Sequence, residues 1–237
     1  MYKIPSWLFY AAWILVGSSY LHGQEAEQIY FMSGQSFSRQ ISAPDLPGSL
    51  EFSTLNNLPP CPPSSISDTI PIKNFACVSD GIFRGAKLEQ EEQYRYLKES
   101  LGVDTIINLA MGHEDTILCE RYRLRCVDFN IRLFPGSDMI FFNWEALRQA
   151  FLFVIHEHEA GRKVYFHCRH GSDRTGTLAA AITIRENACG ANFEKNKLWS
   201  KVDKTLHQHH FHKVYFHLHG KIRRMVYHFD KNSWLCQ

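Results

Sequence analysis

The chain has 237 residues, of which 45% are hydrophobic and 14% aromatic, enough for one domain of ordinary size with a packed core and additional segments. The formal net charge of +2 is too small to predict a nucleic-acid-binding protein, and no basic stripe runs along the sequence. We therefore expect any positive potential to be local to one site.

The N-terminal segment resembles a secretory signal peptide. Lys3 precedes an apolar stretch from Trp7 to Tyr20 that is short for a membrane span, which needs ~20 apolar residues. We predict a signal peptide over residues 1–23, with an uncleaved anchor or an ordinary buried helix as the alternatives. The mature protein is then exported, either periplasmic or secreted, and has no stable membrane span.

Two further regions follow the predicted signal peptide. Residues 24–70 show no sustained periodicity and contain the proline-rich stretch 58–65, so we predict an arm or linker there. Residues 71–237 carry the apolar patterning of a globular domain. Its strands are predicted at residues 82–84, 105–109, 125–133 and 163–166, and its helices at residues 89–101, after the capping residue Asn143, and through residues 211–218. Strands that alternate with helices predict an α/β domain with a central sheet flanked by helices.

The segment from His167 to Gly176 carries the strongest functional signal. It lies between the predicted strand at 163–166 and an apolar, helix-like stretch that begins at Leu178, and five residues separate Cys168 from Arg174. In a strand–loop–helix unit, loop amides and the helix N-terminus converge on an anion, while an arginine fork can hold two phosphoryl oxygens. The same positive field favours the thiolate form of Cys168. The segment predicts a phosphate cradle with a nucleophile at its base.

This segment resembles the His-Cys-x5-Arg-Ser/Thr signature of cysteine-dependent protein tyrosine and dual-specificity phosphatases, in the form found in bacterial and atypical dual-specificity members. Residues 81–86 and 103–109 fit the opening of that family's domain, so the resemblance covers about residues 71–230. It implies the protein tyrosine phosphatase-like fold. It also implies hydrolysis of phosphomonoesters through a phosphocysteine intermediate, without a metal or another cofactor.

The resemblance implies a role for each residue of the segment. Cys168 is the nucleophile, Arg174 positions the phosphate, Thr175 helps the sulfur to leave, and His167 braces the loop. The residues predicted to line the substrate pocket are Arg169, His170, Gly171, Ser172 and Asp173.

A general acid must protonate the leaving oxygen, and in this family an aspartate roughly 30 residues before the cysteine does so. Asp138 has this separation from Cys168, lies in a turn-rich stretch and is the first choice. Asp128 lies farther upstream, in a predicted strand, and is less able to swing over the pocket. Asp173 directly precedes the arginine, as in myotubularin-like phosphoinositide phosphatases, and is the third candidate.

The substrate is less well defined than the chemistry. We predict phosphotyrosine or phosphoserine proteins first. The alternatives are an inositol polyphosphate or phosphoinositide, which the cations Arg169 and His170 would favour, and an inactive phosphate-binding module. Relatives often have an arginine where Ala110 stands, and Gln-Pro where Lys87-Leu88 stand. The family's substrate preference is therefore not transferred to this chain.

Other polar residues have less specific interpretations. Setting Cys168 aside leaves six cysteines, which in an oxidising compartment allow up to three disulfides whose pairing cannot be deduced. We expect Glu114 and Asp115 to lie in an exposed loop, with a position behind the catalytic residues as the alternative. The C-terminal histidines, among them His207 and His219, are expected to form a solvated face rather than a metal site.

Overall fold

A five-stranded sheet organises the part of the chain that the computed structural model describes, which is residues 72–112, 114, 116–135, 140–190, 192–211 and 216–237. The predicted signal peptide and arm fall outside the described residues, as does Asp138. Among the described helices, none is long and apolar enough to cross a membrane.

The strands and helices alternate along most of the domain. The strands are β1 (Ala76–Ser79), β2 (Ile82–Ala86), β3 (Thr105–Asn108), β4 (Arg125–Asp128), β5 (Leu133–Pro135), β6 (Ile140–Phe142) and β7 (Val164–Cys168). The helices are α1 (Glu91–Arg95), continued by a wider π-type turn over Tyr96–Ser100, α2 (Thr116–Arg121), α3 (Trp144–Glu159), α4 (Asp173–Ala188), α5 (Lys195–Gln208) and α6 (Phe216–Tyr227). A short 3₁₀ helix, Trp234–Cys236, follows near the C-terminus.

The strand order is β1-β2-β7-β3-β4, which places β7 at the centre. β1 is antiparallel to β2, whereas β2, β7, β3 and β4 run parallel. Val164 and Phe166 of β7 pack into the core cluster that contains α3, α4, α5 and α6, while Tyr165 packs into a second cluster with α1 and the π-type turn. Alternate residues of the strand therefore serve opposite faces of the sheet. The predicted α/β fold with a central sheet flanked by helices is confirmed.

Several predicted elements have different bounds in the structure. The strand predicted over 125–133 is two strands, β4 and β5, because Asn130 adopts a φ of +48° that interrupts the extended backbone. The late helix was predicted through residues 211–218, and its described part covers Phe216–Tyr227; α5 was not predicted at all. The N-terminus of α3 is as predicted, since the Asn143 side chain accepts a hydrogen bond from the Ala146 amide at 3.1 Å.

Disulfides stabilise two junctions of the domain. Cys119–Cys126 joins α2 to β4, and Cys189–Cys236 joins the end of α4 to the C-terminal 3₁₀ helix. Cys77 is also disulfide-bonded, whereas Cys168 is free and buried. Among the described cysteines, the predicted nucleophile is thus the one that forms no disulfide.

Candidate active site

The predicted phosphate cradle lies at the carboxyl end of the central strand. Ala86 of β2 pairs with Cys168 of β7, and Asn108 of β3 pairs with His167, so these three of the four parallel strands end at the same edge. Residues 169–172 connect this edge to the N-terminus of α4, which begins at Asp173. The predicted strand–loop–helix arrangement is confirmed, and it is the edge at which open parallel sheets bind ligands.

Residues of β2 and of the segment before β1 hold the loop of the cradle in place. Gly171 has a φ of +70°, and a Cβ atom there would lie 2.6 Å from the carbonyl carbon of Gly85, so no larger side chain fits. The Asn74 side chain donates to the His170 carbonyl at 2.8 Å and to Ser172 Oγ at 3.3 Å. The Arg84 guanidinium donates to the Gly171 carbonyl.

The predicted nucleophile and Thr175 are almost inaccessible to solvent. Cys168 is 3% exposed, and Thr175 is fully buried on the first turn of α4. Thr175 Oγ1 has no hydrogen-bond partner among the described residues. A buried hydroxyl normally has a partner, so this one remains available to the sulfur or to a bound phosphate.

Among the described residues, a backbone carbonyl rather than a carboxylate holds Arg174. Its Nη1 donates to the Ile131 carbonyl at 3.3 Å, and its buried Nε has no partner among the described residues. The guanidinium is thus partly fixed and keeps donor capacity for phosphoryl oxygens, as its predicted role requires.

Glu114 is the residue that the sequence interpretation misplaced. We expected an exposed loop, but Glu114 is 6% exposed and its Oε2 lies 2.7 Å from His167 Nε2. The Tyr94 hydroxyl donates to Glu114 Oε1 at 2.5 Å. Burial raises the pKa of Glu114, but hydrogen bonds and charge from His167, together with the bond from Tyr94, bring it below its ordinary value. This carboxylate fixes the orientation of the histidine that precedes the nucleophile; Asp115 lies outside the described residues.

A cavity of about 340 Å³ opens beside the cradle. Its lining residues are Lys87, Asn108, Ala110, Met111, Leu133, Arg169 and Arg174. Of the loop residues predicted to bind substrate, Arg169 lines this cavity and His170 is exposed, while Gly171, Ser172 and Asp173 are buried. Lys87 and Ala110, the two positions at which the sequence departs from the family pattern, also line it.

The structure describes two of the three candidate acids. Asp128 ends β4, and its Oδ1 accepts a hydrogen bond from Asn108 Nδ2 at 3.0 Å, which ties it to a residue of the cavity wall. Asp173 is buried at the first position of α4. The role of Asp138, which is not among the described residues, stays a prediction.

Two of the C-terminal histidines interact with Asp203 of α5. His219 Nε2 is 2.7 Å from Asp203 Oδ1, and the exposed His207 is 3.5 Å from the same oxygen. Within the described ranges, no group of three or more histidine, cysteine, aspartate or glutamate side chains is placed to hold a metal ion.

Comparison with known proteins agrees with this geometry. Residues 81–188, which contain β2 through α4, match the family described as "Polymorphic toxin system, DSP-PTPase phosphatase". These residues form a dual-specificity-type phosphatase domain. The family resemblance predicted from the motif is therefore confirmed for this part of the chain.

Solved structures show the same fold at low sequence identity. The PP-IP phosphatase SIW14 from S. cerevisiae, in complex with citrate, has a TM-score of 0.50 and 17% identity over 69% of this chain and 89% of its own. A second structure of the Siw14 catalytic core gives a TM-score of 0.51 and 18% identity over 70% and 89% of the two chains. Among curated proteins, no sequence matches this chain.

Proposed function

We propose that this phosphatase hydrolyses small phosphomonoesters that carry several phosphates, with inositol polyphosphates as the substrate class. The observation that carries the proposal is the convergence of Lys87, Arg169 and Arg174 on one cavity of about 340 Å³. A single phosphate needs one arginine and the loop amides. Two further cations at the same opening favour a ligand with additional negative charge.

The proposed chemistry uses Cys168 as the nucleophile. The sulfur attacks phosphorus while the ester P–O bond breaks, and an aspartic acid, Asp138 in our assignment, gives its proton to the leaving alkoxide. Arg174 and the loop amides hold the equatorial oxygens throughout this step. Water then attacks the phosphocysteine, gives a proton to the aspartate and releases phosphate and the thiolate, which Thr175 stabilises by a hydrogen bond.

We also propose that the protein is exported. Disulfides such as Cys119–Cys126 and Cys189–Cys236 persist in oxidising compartments and are rare in the cytosol. The N-terminal sequence has the layout of a signal peptide. The family that matches residues 81–188 is described as part of a polymorphic toxin system, which fits a protein that acts outside the cell that makes it.

The substrate class can be tested by measuring phosphate release from inositol hexakisphosphate and from a phosphotyrosyl peptide, side by side with a chelator present. We expect faster release from inositol hexakisphosphate. Lys87→Gln should lower kcat/KM for that substrate by about tenfold and leave p-nitrophenyl phosphate nearly unaffected, because the lost cation contacts only the additional phosphates. Lys204→Gln, on the exposed face of α5, is the matched control.

Faster turnover of the peptide, with equal effects of Lys87→Gln on both substrates, would instead support a phosphorylated protein as the substrate. A protein that binds vanadate but releases no phosphate from either compound would be an inactive phosphate-binding module.

A further inference from the structure

Arg84 is a fully buried cation next to the phosphate cradle. It lies in the middle of β2, where it pairs with Phe166 of the central strand, and it is 0% exposed. Arginine is almost never buried to this extent unless an opposite charge compensates it. The position therefore raises the question of which group provides that charge.

No carboxylate among the described residues pairs with the Arg84 guanidinium. Nη2 donates to the Gly171 carbonyl, whereas Nε and Nη1 are buried and have no hydrogen-bond partner among the described residues. Burial lowers the pKa of Arg84 to about 10, against the opposing effects of Cys168 and Tyr165. The guanidinium is therefore still charged at neutral pH.

The described groups that interact electrostatically with Arg84 are Tyr165, His209 and Cys168, and one of them can provide the compensating charge. On β7, burial raises the pKa of Tyr165 well above its ordinary value of 10.0, so the phenol is neutral and donates to the Ala86 carbonyl. After α5, burial and the positive charges of Arg84 and His210 lower the pKa of His209 to about 4, so that imidazole is neutral as well. The remaining group is Cys168, whose thiolate is an anion.

The hydrogen bond to Gly171 has a second consequence for the loop. In a trans peptide the carbonyl and the following N–H point in opposite directions. Because Arg84 holds the Gly171 carbonyl toward β2, the Ser172 N–H points away from β2. Asn74 holds the His170 carbonyl in the same way, so the Gly171 N–H points away from the Asn74 side chain. Both amides are thereby kept available to an anion.

We propose that Arg84 is a positioning residue of the phosphatase, which compensates the Cys168 thiolate from the β2 side and holds the Gly171 carbonyl so that the loop amides face the phosphate. This inference rests on the proposed role of Cys168 as nucleophile. It assigns to the first parallel strand a function that the Cys-x5-Arg motif does not contain.

The test measures the alkylation rate of Cys168 by iodoacetamide as a function of pH, in the full chain with its disulfides intact. In Arg84→Gln the pH midpoint of alkylation should rise by about one unit or more, because a neighbouring opposite charge shifts such equilibria by roughly that amount. Arg84→Lys keeps the charge, so its midpoint should stay near that of the wild type. Because the ammonium lacks the planar fork, protection by inorganic phosphate should weaken severalfold.

Arg125→Met is the matched control, since it removes an arginine at the opposite end of the sheet and should leave the midpoint unchanged. A folded Arg84→Gln protein with the wild-type midpoint would overturn the inference, and so would an equal shift in Arg125→Met. If Arg84→Gln does not fold, Arg84→Lys decides, because wild-type phosphate protection in that variant contradicts the loop-holding role. Wild-type turnover by Cys168→Ser would instead refute the proposed function, whatever the alkylation profile.

Discussion

The two ends of the parallel sheet each bury a charged cluster, and the clusters differ in how fully their polar atoms are paired. At the amino ends of β3 and β4, the buried Glu157 carboxylate accepts hydrogen bonds from Thr105, Arg125 and Arg162 at 2.7–2.9 Å. Arg162 contributes two of these bonds, so four donors meet the two oxygens. This cluster is complete without a ligand.

At the carboxyl ends of the strands, several buried polar atoms have no partner among the described residues. They are Nε and Nη1 of Arg84, Nδ1 of His167, Nε of Arg174 and Oγ1 of Thr175. An unpaired buried polar group costs about 1–3 kcal/mol, so a group of them is expensive to maintain. Such a cluster is expected where a ligand completes the pairing, whereas the Glu157 cluster serves stability alone.

The largest effect is expected at the carboxyl end, from Cys168→Ser. A serine hydroxyl is a far weaker nucleophile than a thiolate, so phosphate release should fall by at least about a thousandfold. Turnover is measured with p-nitrophenyl phosphate, and circular dichroism checks that the variant is folded. Residual turnover within about tenfold of the wild type would contradict the covalent mechanism.

At the amino end, Glu157→Leu should lower the free energy of unfolding by about 2–4 kcal/mol, since it leaves the Thr105 hydroxyl and two arginines without their acceptor. Arg125 and Arg162 are partly exposed and can turn toward water, which limits the loss. Turnover per folded molecule should be unchanged. A reduced kcat in a folded variant would show that the two ends of the sheet are coupled. It would contradict a purely structural role of the Glu157 cluster.

The pH dependence of this destabilisation follows from the Glu157 carboxyl. Burial raises its pKa, but hydrogen bonds from Arg162 and Thr105 and the charge of Arg125 bring it below the ordinary value of 4.5. A carboxyl with a lowered pKa in the folded state contributes stability above pH 4.5 that is lost as the pH falls through the folded value. Urea unfolding should therefore show a difference between Glu157→Leu and the wild type that is largest near neutral pH and shrinks in acid.

Local sequence predicted the elements whose signals lie close together in the chain. The cradle was predictable because strand, loop glycine, arginine and helix follow one another within a short segment around Cys168. Glu114 was not, because its partner His167 is distant in the sequence and an acidic residue after a strand is typical of an exposed loop. Likewise, the burial of Arg84 depends on β2 lying between β1 and β7, which no local pattern encodes.

Local features explain why helix α5 was not predicted and why one predicted strand is two strands, β4 and β5. Leu198, Val202 and Leu206 recur every four residues and are the buried positions of α5, so a helical stripe was present in the sequence. Its apolar residues are few among many polar ones, which hid the pattern. The division between β4 and β5 depends on the left-handed conformation of Asn130, which asparagine tolerates but does not require.

The smallest of the expected effects concerns which aspartate acts as the general acid. Asp138→Asn should slow the hydrolysis of alkyl phosphates by about tenfold to a hundredfold, because a poor leaving group needs a proton, and should affect p-nitrophenyl phosphate much less. Asp128→Asn is the control, since Asp128 already accepts a hydrogen bond from Asn108 and resembles Glu157 in being paired within the fold. Equal effects of Asp138→Asn on both substrates would exclude Asp138 as the acid. If Asp128→Asn instead slows the hydrolysis of alkyl phosphates more than that of p-nitrophenyl phosphate, Asp128 is the acid. A carboxylate that is hydrogen-bonded within the fold would then also be catalytic.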